Sequence, residues 1–145
     1  MKGKFLLSMS IIIALVVVIS SCQSENDLNY QRYYTAGALV YQTRCQNCHG
    51  AKGEGLNALI PALSDTAFIG KNRKTLPCLI KNGIGGGLFI NGRSFNQLMP
   101  AQNDLSPIEI GQVVTFIGNS YGNKLGLVDV KSVEKNLADC TVQQR

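Results

Sequence analysis

Cys45-Gln46-Asn47-Cys48-His49 sets two thiols three positions apart, with an imidazole directly behind the second. On one helical turn the two sulfurs reach the two vinyl groups of a haem and form thioethers while the His49 ring turns toward the iron, which is the arrangement of covalent c-type haem attachment. Two other chemistries use the same pair of thiols. A thioredoxin-like dithiol follows a strand and opens a helix in a βαβ setting, whereas this one follows a helical pattern and precedes a glycine-rich loop. A zinc site takes four ligands; Cys78 and Cys140 would have to complete it, and neither belongs to a second close-spaced pair.

Toward the N-terminus, Asp27 or Asn29 is placed to cap a helix running to about Gln42, with Tyr34, Ala38 and Tyr41 on one face. Gly37, Tyr41 and Cys45 follow at four-residue steps, so Gly37 and Tyr41 share a face just ahead of the attachment motif. A mid-helix glycine costs roughly 1 kcal/mol against alanine, a cost that a closely crossing second helix explains. Read alone, Gly37 merely weakens the helix and Tyr41 is an ordinary core aromatic. With Gly37-x-x-x-Tyr41 set before Cys45-x-x-Cys48-His49, the chain resembles the class I cytochrome c family over roughly residues 28–123. The resemblance implies an all-α, small cytochrome c fold, three to five helices and loops wrapped around one covalently bound haem, in which the glycine marks the crossing with the C-terminal helix.

Toward the C-terminus, Gly50-Ala51-Lys52-Gly53-Glu54-Gly55 reads as a tight loop. It is no phosphate cradle, since no strand precedes it and no GK[ST] closes it. In similar cytochromes a proline carbonyl at about the distance of Pro61 accepts a hydrogen bond from Nδ1 of the haem histidine, and the resemblance implies this role toward His49; without it Pro61 is a loop proline. Residues 73–83 read as a short helix entered near Pro77 and ended by Gly83, with Leu76, Leu79 and Ile80 facing the haem or the core. The run from Gly83 to Gly92 reads as loop, in which Phe89 and Ile90 are candidate cover for a haem face. Met99-Pro100 is the second piece of chemistry. A thioether is a soft ligand suited to haem iron, and a His/Met pair raises the reduction potential relative to two nitrogen ligands. By itself Met99 suits a core gap; a Met-Pro dipeptide supplies the distal ligand in class I cytochromes c, and the resemblance implies that Met99 does so here.

Ser106-Pro107-Ile108-Glu109 combines an N-cap serine, a proline at the first helical position and a glutamate three residues after the cap. Ile110, Val113, Val114 and Ile117 then form a stripe with Phe116 alongside, until Gly118-Asn119 and Gly122-Asn123 stop the helix. Phe116 or its neighbours is where it is expected to cross the first helix. Beyond the resemblance, Ser132 to Ala138 reads as a short helix carrying Cys140 toward Cys78, or else as part of a loose tail.

At the other end, Lys2 and Lys4 precede an apolar run from Phe5 to Ile19 of signal-peptide length. Ile19-Ser20-Ser21-Cys22 resembles the lipobox of bacterial lipoproteins, which implies cleavage before Cys22, its lipidation, and a bacterial membrane-anchored lipoprotein facing the periplasm or cell exterior. An ordinary secretory signal or an uncleaved anchor is the alternative. The expected organisation is a signal peptide at 1–21, a lipidated tether at 22–28, a haem domain at 29–123 and an extension packed on it at 124–145. Without the signal lysines, 12 of the 14 basic residues remain against 9 acidic, a net +3, too small an excess to point to nucleic acid. With Cys22 assigned to lipid and Cys45 and Cys48 to haem, Cys78 and Cys140 remain as a candidate disulfide in an exported chain; two separate thiols are the other arrangement.

The expected function is one-electron transfer through haem c between membrane-associated redox protein partners. No side chain is needed as acid, base or nucleophile. Arg44, Lys52, Lys71, Arg73, Lys74, Lys81 and Arg93 are candidates for a basic rim that steers an acidic partner. The rivals are a tethered subunit of a larger oxidoreductase complex, a haem enzyme or gas sensor in which Met99 does not ligate, and a haem-free zinc or dithiol module.

Overall fold

The structure, a computed structural model, describes residues 9–13, which are helical, and 25–140. Cys22 and most of the signal segment lie outside the described residues, so the expected lipidation has no structural counterpart here. No helix among the described residues is long and apolar enough to cross a membrane.

The domain is built on two crossing helices. The first, α1 (Glu25–Arg44), carries Glu25 and Asp27 in its first turn and Arg44 in its last, charges that complement the helix dipole. The second, α5 (Pro107–Ile117), begins where the Glu109 carboxylate accepts from the Ser106 backbone N–H at 2.9 Å. Ile110, Val113 and Val114 are fully buried. The crossing occurs at Gly37, where an added Cβ would overlap the Gln112 carbonyl and lie 2.9 Å from Phe116 Cβ. Glycine is therefore required by proximity rather than by its backbone angles. Phe116 packs there against Tyr34 and Tyr41, with centroids 5.2 and 5.3 Å away.

Around this pair run α2 (Gln46–His49), α3 (Thr66–Lys71), α4 (Leu76–Asn82) and α6 (Val130–Ala138). Helix α3 starts at Asp65, whose side chain accepts from Phe68 N–H at 2.9 Å. Helix α6 begins at Asp129, which caps Ser132 N–H at 2.8 Å, and Val133 is its fully buried residue. Cys78 of α4 and Cys140 beyond α6 are disulfide-bonded, with Cα atoms 5.9 Å apart.

One expectation needs correction. Five of these helices belong to the expected haem domain and α6 to the extension, but the domain is not purely helical: Leu88–Ile90 (β1), inside the run read as loop, pairs with Arg93–Phe95 (β2), directly after it, in an antiparallel hairpin. Asn91 and Gly92 make the turn with φ of 48° and 76°, the two-residue Asn-Gly geometry that matches strand twist. Alternation along β1 then separates the two candidate cover residues: Ile90 is buried, while Phe89 is 67% exposed.

Candidate functional site

The attachment motif folds as a continuation of α1. Cys45 N–H donates to Tyr41 O at 2.9 Å, and His49 N–H donates to Cys45 O at 2.9 Å, so Cys45, Cys48 and His49 occupy one helical turn and face one side. Tyr41 secures the turn's exit by donating its hydroxyl to Gly50 O at 2.6 Å. Both cysteines are free thiols, Cys45 half-buried and Cys48 exposed.

These residues form one wall of an apolar cleft whose lining also includes Pro61 and Met99. Helices α3, α4 and α5 supply its floor through Ile69, Leu76, Leu79, Ile80 and Val114, and the hairpin closes it with Leu88 and Ile90. A connected outer lobe is lined by Leu56, Leu59, Phe95 and Leu98. All five candidate haem residues thus border one cavity.

On one side, His49 Nδ1 lies 3.3 Å from Pro61 O. A carbonyl only accepts, so Nδ1 carries the proton and Nε2 keeps its lone pair. Burial holds the imidazole below its ordinary pKa, the Pro61 bond opposing, which favours the neutral ring. Gly55, with φ 68°, touches the Pro61 backbone; a Cβ there would come within 2.8 Å of its carbonyl oxygen. On the other side, Met99 is pinned by a reciprocal backbone pair with Ile84, both bonds 2.9 Å. Gly83, with φ 70°, lies where a Cβ would overlap Met99 O and approach Ala101 N to 2.7 Å. Sequence reasoning saw Gly83 as a helix stop and Gly55 as a loop glycine; both are also contact surfaces for the two sides of the cleft.

The competing chemistries find less support in this geometry. Among the described residues no group of three or more His, Cys, Asp or Glu side chains is arranged to hold a metal ion, and Cys78 and Cys140 are bonded to each other. Burial pushes the Cys45 thiol up to about 11, Cys48 adding to it and Arg44 opposing, whereas the attacking thiol of a redox dithiol is lowered. Two thiols on one turn, a neutral imidazole with Nε2 free, and an apolar cleft reaching a thioether fit a covalently attached haem.

The basic rim is partly committed elsewhere. Arg44 pairs with Asp104, Arg73 donates to Leu127 O at 3.0 Å, and Lys81 donates to Asn103 O at 2.7 Å and Leu105 O at 2.9 Å. Lys52, Lys71, Lys74 and Arg93 are exposed. No curated protein matches the chain. Residues 33–117 match the family model described as cytochrome c oxidase, cbb3-type, subunit III, a match that runs from within α1 to the end of α5 and takes in both sides of the cleft. The chain belongs to this family, whose cytochrome c domain binds a c-type haem covalently and serves electron transfer.

Proposed function

We propose that the chain is a one-electron carrier in which Cys45 and Cys48 would hold a haem as thioethers while His49 and Met99 would ligate its iron. When bound, the haem would supply one-electron ferric/ferrous chemistry, and with both His49 and Met99 ligating no site would be left for a substrate. The observation that carries this reading is the single apolar cleft bordered by His49 and Met99. Pro61 fixes the His49 tautomer and makes the ring a stronger donor, Ile84 fixes the Met99 backbone, and the apolar lining disfavours the more positive oxidised state. Arg44 is the one charged side chain among the residues lining the cleft and its outer lobe.

The haem domain of this reading spans 29–123, tethered through lipidated Cys22 and residues 22–28 on the outer side of a bacterial membrane, with 124–145 as an extension. Its partners are redox proteins, and the exposed Lys52, Lys71, Lys74 and Arg93 are the remaining candidates for steering an acidic one. The family match favours a carrier working within a larger oxidoreductase complex over a freely diffusing one.

The test is an optical spectrum of purified, oxidised and reduced protein. A sharp reduced α-band with a weak far-red ferric band, lost in Met99→Ala, is the expected result. A high-spin ferric spectrum with fast carbon monoxide binding would move the function to ligand binding or catalysis, and colourless protein from a host able to mature cytochromes would restore the zinc or dithiol reading.

A further inference from the structure

We infer that Asn123 is a positioning residue for the His49 imidazole, acting through the Pro61–Leu63 backbone; the inference rests on the reading of His49 as an axial ligand. The Pro61 carbonyl lies 3.3 Å from Nδ1, long for a hydrogen bond, so its strength depends on how firmly the carbonyl is held. Three contacts hold that stretch of backbone. Gly55 packs against Pro61, Leu63 N–H donates to Gly53 O at 2.7 Å, and Leu63 O accepts from Asn123 Nδ2 at 2.8 Å. The first two arise within the loop that carries Pro61. Asn123 ties the loop to the helical core, because its Nδ2 also donates to Ile117 O at the end of α5, at 2.9 Å.

The backbone is bent to place this amide. Tyr121 and Gly122 adopt φ of 57° and 94°, and a left-handed tyrosine is a strained conformation. The turn swings Asn123 beneath α5, where it is 5% exposed, and lays the Tyr121 ring on Gly53, where a Cβ would meet it at 2.6 Å. Segment 121–123 therefore grips the loop at both ends of the Leu63–Gly53 hydrogen bond. Asn123 Oδ1 has no donor; the NH2 half of the amide makes both bonds. This turn lies past the matched residues 33–117.

Asn119 provides the control. It caps the same helix end, with Nδ2 donating to Thr115 O at 2.7 Å and Gly126 O at 2.9 Å, bonds that run away from the Pro61 segment. In the holoprotein, N123A and N119A are both expected to lower the thermal midpoint. N123A alone is expected to weaken the Nδ1–H bond, make the imidazole a poorer donor and raise the reduction potential. It should also speed solvent exchange of the His49 Nδ1 proton by about tenfold, the worth of one ordinary hydrogen bond. If potential and exchange are the same in both variants while His49 resonances remain iron-shifted, the proposal is overturned and ligation stands. Native protein without iron-shifted His49 resonances overturns both. Should N123A not fold, the native holoprotein answers instead: the Asn123 amide and His49 Nδ1 protons are expected to exchange through a common opening across a denaturant series, and independent openings overturn the proposal.

Discussion

Gly37 of α1 lies against the Gln112 carbonyl of α5, so close that a methyl group on Gly37 would overlap it. Gly37→Ala gains about 1 kcal/mol of helix propensity, but the obstruction is rigid backbone, so the overpacking cost falls at the upper end of the usual range, about 3 kcal/mol. A net loss of about 2 kcal/mol is expected from the denaturant midpoint of the holoprotein. A variant as stable as the native protein would mean that the helices can part without cost.

Gly83→Ala acts on the methionine side. It forces a side chain into φ 70° against Met99 O and Ala101 N, a strain of at least about 1 kcal/mol before any displacement. The Met99 segment is expected to move, with a weakened far-red ferric band and a lower reduction potential, while haem attachment persists. An unchanged ferric spectrum would show that Met99 does not depend on this contact.

The C78S/C140S variant releases a closure between residues 62 apart in sequence. On the chain-entropy account it is expected to lose about 4 kcal/mol, read as a drop in denaturant midpoint that reductant reproduces in the native protein. A loss below about 1 kcal/mol would show that the extension adds little constraint.

Glu109 links α5 to pH. The hydrogen bonds from the Ser106 hydroxyl and then from its backbone N–H hold this carboxyl below its ordinary value of 4.5. A depressed folded-state pKa gives stability that is present above 4.5 and lost as pH falls through the folded value. Glu109→Gln is expected to flatten the stability curve in that acid window and leave its neutral limb little changed; a variant with the native acid slope would remove Glu109 from the account.

The parts of the fold legible in the sequence are those whose signals close locally. Ser106 and Glu109 announce the start of α5 because their groups satisfy each other within a turn, and Pro107 between them has no N–H to satisfy. Asn91-Gly92 after the apolar triplet Leu88–Ile90 was an equally local hairpin signal, hidden by the surrounding glycines, and Asp65 marked the start of α3. In the site, the residues proposed to carry chemistry stand out by type and spacing, and the structure brings them to one cleft. The supports do not stand out: Gly55 against Pro61, Gly83 against Met99 and Asn123 on Leu63 are contacts made only after the chain has folded back. Lys81 looked like surface charge for the same reason, since its acceptors are carbonyls 22 and 24 residues away.

The Cys78–Cys140 bond has a consequence for how the chain matures. In the proposed reading haem attachment consumes Cys45 and Cys48 as thiols, whereas Cys78 and Cys140 must lose their hydrogens to an oxidant, so one polypeptide would need opposite redox treatment at two sites. An oxidant meeting the unfolded chain favours the short closure between Cys45 and Cys48 over the long one, because closure entropy rises with loop length. Correct biogenesis is then a matter of timing: the first pair has to be kept reduced until the cofactor claims it, and the second pair sealed once α4 and α6 have been brought together.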